Sequence, residues 1–152
     1  MVIFHEQPGA LLARGVCRHF LDSGLAPVME FVPAPGLRVD VIALDAQGLV
    51  TIVECKASPA DFRADTKWQG YLEWCDRFFF AVDAAFPQAV LPESEGIIVA
   101  DAFGAEVLRP PAHRSLPAAR RKALTLRLAR KAAERLRGLL DPGSPVSARM
   151  EP

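Results

Sequence analysis

The sequence has few residues that could form disulfides or bind a structural metal ion. Its 152 residues include three cysteines, Cys17, Cys55 and Cys75, an odd number with no CxxC spacing. This pattern excludes a disulfide framework and a cysteine-bound zinc site, and it is typical of a reducing cytoplasm. The three histidines also lack the spacing of metal ligands.

Long apolar runs are missing as well. No stretch approaches the roughly 18 apolar residues that a membrane-spanning helix needs. The N-terminal sequence MVIFHEQPGA has no basic segment followed by an apolar one. We therefore expect a cytoplasmic protein without a membrane partner. With 51% hydrophobic residues, the chain can bury one sizeable core. We expect one domain over residues 1–140 and a flexible tail over 141–152.

The net charge is zero, but the charges are segregated along the chain. Residues 1–108 carry 7 Lys and Arg against 15 Asp and Glu, whereas residues 109–137 carry 10 against 1. A segment of one sign favours contact with nucleic acid or another anionic surface. The alternative is a solvated basic face on an ordinary helix.

The order of apolar patterns predicts an α/β protein. PGALLARGVCRHFLDSG is expected to be a helix, because Leu12, Val16 and Phe20 recur four residues apart and Gly24 can end it. The predicted strands are APVMEFV, LRVDVIAL, LVTIVECK, RFFFAV, GIIVA and AEVLR. SPADFRADTKWQGYLEWCD predicts one or two helices after the third strand, and LPAARRKALTLRLARKAAERLRGLL predicts a long basic helix.

Several side chains in the middle helices have simple structural interpretations. Ser58 and Asp61 have the spacing of a capping box at a helix start. The aromatic residues Trp68, Tyr71 and Trp74 are predicted to belong to the core, with a base-stacking platform as the alternative. The charged residues Arg63, Asp65 and Lys67 are predicted to be an exposed set, with DNA contact as the alternative.

Three charged residues interrupt the second and third strands, in RVDVIALDAQGLVTIVECKAS. A strand that is apolar on both faces is usually buried on both, and buried charges are costly unless they are paired or bind a metal. Asp40, Glu54 and Lys56 therefore form either a self-satisfied ion cluster or a functional site.

The turn between these strands predicts how the charges are arranged. A three-residue loop that ends in Gly48 at positive φ would place Asp40 opposite Glu54. Opposite side chains lie about 4.5–5.5 Å apart at Cβ, so two carboxylates there repel unless a cation is near. Strand alternation puts Lys56 on the same face. The similar turn DAFG predicts a positive φ at Gly104.

This patch suits phosphodiester hydrolysis. Mg²⁺ or Mn²⁺ prefers carboxylate, water and phosphate oxygens, so Asp40 and Glu54 are the predicted metal ligands. The metal would activate a bound water, and Lys56 would orient that water or stabilise the developing charge. Asp40, Glu54 and Lys56 are thus the predicted catalytic residues.

The same residues resemble a known superfamily. Asp40, followed by Glu54, Cys55 and Lys56 at the end of the next strand, resembles the D…(D/E)xK core of the PD-(D/E)xK, or restriction-endonuclease-like, nucleases. Five segments together resemble the MmcB-like DNA repair family over roughly residues 10–137: RGVCRHFLDSG, RVDVIAL, IVECKASPADFRADTKWQGYLEWCDRFFFAV, GIIVADAFGAEVLR and ARRKALTLRLAR.

The resemblance implies a restriction-endonuclease-like α/β fold, with a mixed central β-sheet flanked by helices, and a role in DNA repair. DNA is then the expected partner, and other repair proteins are candidate partners. A further acidic residue often joins the metal site in this superfamily; Glu30 is the candidate here, with Glu6 behind it. The predicted function is metal-dependent hydrolysis of DNA. The alternatives are a catalytically inactive DNA-binding or scaffolding repair factor and a domain that binds no nucleic acid.

At 100° per residue, the C-terminal helix divides into two sides. The apolar side, predicted to face the core, comprises Leu128, Ala129, Ala132, Ala133, Leu136, Leu139 and Leu140. The basic side, predicted to contact DNA phosphates, comprises Arg120, Arg127, Arg130, Lys131 and Arg135. Leu124, Arg121 and Lys122 do not fit this division.

Overall fold

The computed structural model describes residues 7–143. Its helices are α1 (Pro8–Asp22), α2 (Pro59–Ala64), α3 (Trp68–Tyr71) and α4 (Ala118–Leu140), and short 3-10 turns cover Leu72–Trp74 and Gln88–Val90. Its strands are β1 (Ala26–Ala34), β2 (Leu37–Leu44), β3 (Val50–Cys55), β4 (Arg77–Val82), β5 (Gly96–Ala100) and β6 (Ala105–Arg109). Most of the predicted tail, and Glu6, lie outside the described residues.

The six strands form one mixed sheet in the order β1-β2-β3-β4-β5-β6. Strands β1, β2 and β3 are antiparallel neighbours, β3, β4 and β5 run parallel, and β6 returns antiparallel to β5. Parallel neighbours need a crossover that brings the chain back to the same edge, and α2 and α3 provide it between β3 and β4. This mixed sheet with flanking helices confirms the predicted fold class.

Side-chain alternation along the strands builds a core on each face of the sheet. One core joins α1 to the sheet through Val16, Val53 and Phe79. The other is rich in aromatic residues, and Trp68 stacks on Phe78 with ring centroids 5.9 Å apart. Tyr71 is buried there too, so the core prediction is confirmed for both helix residues.

The β2–β3 hairpin has the predicted register. Gly48 has a φ of 85°, as the bulged turn requires, and Val41 pairs with Val53. Asp40 and Glu54 are therefore the next opposite residues of the two strands. The prediction for this turn, which determines the geometry of the charged patch, is confirmed.

The same prediction for Gly104 is wrong, because this glycine does not lie in the positive-φ region. The Oδ1 atom of Asp101 accepts the backbone N–H groups of Phe103, at 2.8 Å, and of Gly104, at 3.0 Å. Asp45 Oδ1 likewise accepts the N–H groups of Gln47 and Leu49 in the DAQG turn, so the two turns differ at the glycine and not at the aspartate. The two similar tetrapeptides form different turns.

The start of α2 has the predicted cap. Ser58 Oγ accepts the backbone N–H of Asp61 at 3.1 Å, and the Asp61 carboxylate accepts the N–H of Ala57 at 3.0 Å. These bonds satisfy donors that a helix start would otherwise leave unpaired. The cap fixes where the chain turns away from the end of β3.

A completely buried carboxylate, Asp76, ties α4 to the sheet. It accepts the backbone N–H groups of Val50 at 2.8 Å and Leu116 at 2.9 Å. Both terminal nitrogens of Arg121 also bind it, at 2.6 and 2.7 Å. Arg121, which did not fit the helical division, faces inward because it neutralises this carboxylate.

Helix α4 packs on the sheet by a different side from the one predicted. Leu128 is buried as expected, and so is Leu124, which the division left unexplained. The other apolar residues predicted to face the core are exposed: Ala129, Ala132, Ala133, Leu136, Leu139 and Leu140. The prediction that this side faces the core is therefore wrong.

The reason lies in the backbone of β1, which is an edge strand. Arg127 donates to the carbonyl oxygens of Val32, at 2.8 Å, and Pro33, at 2.6 Å. About two turns further on, Arg135 donates to the carbonyl oxygens of Met29 and Glu30. The carbonyl groups of an edge strand need hydrogen-bond donors, and the guanidinium groups supply them. The side of α4 that carries Arg127 and Arg135 therefore packs against β1, and the leucine-rich side does not.

Replacing Asp76 with Ala is expected to lower the free energy of unfolding by about 3–5 kcal/mol. Arg121 and the N–H groups of Val50 and Leu116 would then lose a shared acceptor inside the protein. Urea denaturation would measure the change. The control Glu106→Ala, on exposed β6, should change stability by less than about 0.5 kcal/mol.

The same carboxylate should make stability depend on pH. Although desolvation raises the pKa of Asp76, hydrogen bonds from Arg121 and from two backbone N–H groups lower it to about 2, from 3.8. The stabilisation is therefore complete above about pH 5 and is lost as the pH falls through 2, a loss of about 2 kcal/mol. Asp76→Asn should remove this part of the acid dependence. An unchanged acid limb in the variant would contradict the assignment.

Candidate active site

Asp40, Glu54 and Lys56 lie together at the C-terminal end of β3, on the side of the sheet that carries α3. Asp40 comes from β2, and its Oδ2 accepts the backbone N–H of Cys55 at 2.7 Å. Glu54 and Lys56 are both buried, and Lys56 Nζ lies 4.0 Å from Glu54 Oε2. The structure thus brings the three predicted catalytic residues into one patch.

The carboxyl groups of Asp40 and Glu54 contact each other. Burial, followed by the hydrogen bond and the charge of Asp40, raises the pKa of Glu54 well above its usual range, and Lys56 offsets this only in part. A carboxyl group held in this way retains a proton unless another cation replaces it. The positive charge near the pair is therefore too small to keep both carboxyl groups ionised.

The closest ion pair of Lys56 is with Asp65, which was predicted to belong to an exposed charged set. Its Nζ lies 2.6 Å from Asp65 Oδ2, much closer than to Glu54. Desolvation lowers the pKa of Lys56, but the hydrogen bond to Asp65 and the charge of Glu54 outweigh it and raise that pKa. Lys56 is therefore a firmly charged ammonium group.

Asp65 is the member of this charged cluster that the sequence prediction missed. It was expected in an exposed charged set, yet its side chain is largely buried against Lys56. Its Oδ1 also accepts the N–H groups of Lys67, at 2.8 Å, and Trp68, at 3.1 Å, and so caps the start of α3. The aspartate three residues before Trp68 is a capping signal in the sequence; its contact with Lys56 is not. Arg63 is exposed, as predicted.

Hydrogen bonds account for the charged state of Asp65. Desolvation raises its pKa, but the bonds from Lys56 and from two backbone N–H groups hold the pKa below its usual value. The Lys56–Asp65 contact is therefore an ion pair. It fixes the ammonium group at the edge of the carboxyl pair.

Tyr71 closes the other side of the patch. Its hydroxyl donates to the carbonyl oxygen of Arg38 at 3.0 Å. Burial, and then the charge and hydrogen bond of Glu54, raise the pKa of Tyr71, so the phenol stays protonated. Tyr71 is thus a core residue, as predicted, whose hydroxyl also borders the site.

Glu30, the candidate third acidic ligand, is not brought into the set. It is exposed, and its φ of 49° places it in the left-handed region within β1. Within residues 7–143, no three Asp, Glu, His or Cys side chains form a group that could hold a metal ion. The remaining candidate, Glu6, lies outside the described residues.

The five basic residues of α4 that were predicted to bind DNA have different surroundings. Arg127 and Arg135 bind β1 as described, and Arg120 donates to Glu73 O at 2.8 Å and lies over the ring of Trp74. Lys131 lies 3.8 Å from Glu134. Arg130 is exposed and has no such contact among residues 7–143. DNA contact by these residues stays a prediction.

The carboxyl pair fits a hard divalent cation. Asp40 and Glu54 provide oxygen donors side by side, one of them oriented by a backbone N–H, while the nearest ammonium group is bound to Asp65. Mg²⁺ is commonly held by one or two carboxylates, with waters and phosphate oxygens completing its shell. Asp40 and Glu54 would supply the two carboxylates of such a shell.

Fold and site together define a mixed α/β protein with a carboxyl pair and a lysine at the end of a central strand. A family model described as DNA repair protein MmcB-like matches residues 5–143, and the chain belongs to this family. It is similar to the solved SPO1766 protein of unknown function from Silicibacter pomeroyi, with 54% identity and a TM-score of 0.89 over 91% of this chain and 94% of that one. No match was found among curated proteins. Residues 7–143 contain no helix long and apolar enough to cross a membrane.

Divalent cations should bind this site more tightly as the pH rises. Because the pKa of Glu54 is raised, the metal-free fold is stabilised by protonated Glu54 at low pH and loses that stabilisation as the pH rises. A bound cation displaces this proton, so affinity should increase by up to about tenfold per pH unit around neutrality. Mn²⁺ calorimetry in buffers of different ionisation enthalpy would count the protons released.

The matched variants for this measurement are Glu54→Gln and the exposed Glu93→Gln. Glu54→Gln should abolish proton release along with tight binding, and Glu93→Gln should behave like the wild type. Affinity that does not change with pH in the wild type would refute the shared-proton description of the pair.

Proposed function

We propose that this protein is a divalent-metal-dependent nuclease that hydrolyses DNA phosphodiester bonds during repair. One observation carries the proposal: buried Glu54 and partly buried Asp40 form a carboxyl pair, while the neighbouring Lys56 is neutralised by Asp65. If the cluster were purely structural, Lys56 would be expected between the two carboxylates. Membership of a DNA repair family supports DNA as the substrate.

In this proposal Asp40 and Glu54 hold Mg²⁺ or Mn²⁺, which would supply a water of lowered pKa and positive charge for the phosphoryl oxygens. The N–H of Cys55 keeps the Asp40 carboxylate oriented. Lys56 donates a hydrogen bond to the attacking water or to the phosphoryl oxygen as negative charge develops. Asp65 acts as a positioning residue, because it holds the Lys56 ammonium group 2.6 Å away.

DNA could approach across exposed cations that surround the patch. Arg38 precedes Asp40 by two residues, and Arg63 and Lys67 flank Asp65; all three are exposed. Within residues 7–143 none of them forms an ion pair with an acidic side chain. Exposed cations beside a metal site are suited to phosphate contacts that position the strand without reading its sequence.

A second candidate function is a DNA-binding or scaffolding repair factor without catalysis. The observation that favours it is the absence of a third acidic ligand among residues 7–143. In such a protein the Asp40–Glu54 pair would stay protonated. Cleavage separates the two functions, because both predict that DNA binds.

We expect Mg²⁺- or Mn²⁺-dependent cleavage of at least one substrate among single-stranded, duplex, flapped and branched DNA. Glu54→Gln and Asp40→Asn should each reduce the cleavage rate at least about a hundredfold, since each removes a metal ligand. Neither should lower the melting temperature much, because an amide is close to a carboxyl group in size and can keep a hydrogen bond within the pair. Gel assays with purified variants would measure the rates.

Glu93→Gln serves as the control and should cleave at the wild-type rate. Asp65→Asn should reduce the rate while leaving Mn²⁺ affinity close to that of the wild type, because Asp65 acts through Lys56. DNA binding without cleavage of any substrate would support the scaffolding function. Cleavage that survives in Glu54→Gln would place the active site elsewhere.

A further inference from the structure

The outward side of α4 is an apolar stripe on the surface of the protein. Leu126, Leu136 and Leu140 are 62%, 57% and 71% exposed. Ala129 and Ala133 lie between them and are also exposed. The helix buries its opposite side, with Leu124 and Leu128, so this stripe is not part of the core.

The spacing of the stripe is that of a coiled-coil seam. Residues 126, 129, 133, 136 and 140 alternate in steps of three and four, and the same steps lead back to Lys122 and Ala119. Positions that repeat in this way stay on one line of a helix and pack against a second helix. Helix α4 has 23 residues, a length of about 35 Å, enough for three heptads.

The flank of this seam is basic on one side and neutral on the other. On one flank, Arg130 and Arg137 come directly after the seam positions 129 and 136. On the other flank, Thr125, Ala132 and Leu139 come directly before the seam positions 126, 133 and 140. The acidic groups nearby are engaged, because Glu134 lies 3.8 Å from Lys131 and Asp141 binds Arg137 at 2.9 Å. A helix docked here would be favoured by acidic side chains beside Arg130, and an acidic side chain could also bind Arg137 in exchange for Asp141.

We propose that the outward side of α4 docks an amphipathic helix of another protein, with leucine-type residues along its seam and Asp or Glu at its flanks. This surface is separate from the carboxyl pair and does not rest on the proposed nuclease activity. It gives Arg130 an acidic protein partner in place of the DNA phosphate predicted from the sequence.

Charge disfavours a second copy of the chain as the occupant. In an antiparallel pair of α4 helices, Arg130 of one copy would approach Arg137 of the other. In a parallel pair, Lys122 would face Lys122 within the seam. The acidic residue that comes near in the antiparallel arrangement is Asp141, which already binds Arg137. DNA is disfavoured too, because protein–DNA interfaces are polar and basic, and phosphate contacts would leave three exposed leucines uncovered.

The test uses a synthetic helical peptide of four heptads with Leu at the two seam positions and Glu at the flanking positions. Fluorescence anisotropy with the full chain should detect binding. Leu126→Glu/Leu136→Glu should weaken it at least tenfold, and these exposed positions should tolerate the change without unfolding. The control Leu21→Glu, at an equally exposed leucine of α1, should bind as the wild type does.

A charge exchange makes the test specific. Arg130→Glu/Arg137→Glu should weaken binding of the Glu-flanked peptide at least tenfold and strengthen binding of the same peptide with Lys at its flanks. Circular dichroism of every variant would verify that α4 is intact.

Three results would overturn the proposal. The first is equal binding of a peptide of the same composition whose leucines are spread around the helix, or no binding of the Glu-flanked peptide. The second is a wild-type dimer in sedimentation that Leu126→Glu/Leu136→Glu converts to a monomer. The third is a loss of duplex DNA affinity in that variant, which would assign the surface to DNA.

Discussion

The pairing register of β2 and β3 is the constraint on which the rest of the site depends. The turn at Gly48 aligns the two strands so that Asp40 stands opposite Glu54. A shift of one residue would turn one carboxylate to the α1 side of the sheet and bury it in an apolar core. The N–H of Cys55 then holds Asp40 in place across the ladder. Local turn geometry thus creates a carboxyl pair that would repel itself without a proton or a cation.

An ion pair with another carboxylate keeps Lys56 from neutralising the Asp40–Glu54 pair. Lys56 could neutralise Glu54, but Asp65 binds it more closely. Asp65 is itself fixed by the backbone at the start of α3, so the cap of one short helix controls the position of the ammonium group. Further along the chain, Arg121 and two backbone N–H groups together bind Asp76. Among residues 7–143, buried Lys56, Asp76 and Glu95 each have an oppositely charged partner close by, whereas buried Glu54 is paired with another carboxyl group, that of Asp40.

The arginines of α4 link the fold to its surface. Because Arg127 and Arg135 donate to the carbonyl groups of β1, the helix is held by its basic side. Its leucine-rich side then faces outward, where hydrophobic patterning would not place it. One set of hydrogen bonds therefore has two consequences: it protects an edge strand, and it exposes a seam with the spacing that a second helix requires.

The sequence by itself determined the elements of the fold, the register at Gly48, the cap at Ser58 and the grouping of Asp40, Glu54 and Lys56. Each of these follows from residues that are close along the chain or joined by one tight turn. Only the tertiary structure decided that Asp65 binds Lys56, that Asp76 binds Arg121 and that α4 faces the sheet with its arginines. Hydrophobic periodicity predicts which apolar side chains are buried. It does not record which buried carboxylates and edge carbonyls need a donor, and those donors come from distant parts of the chain.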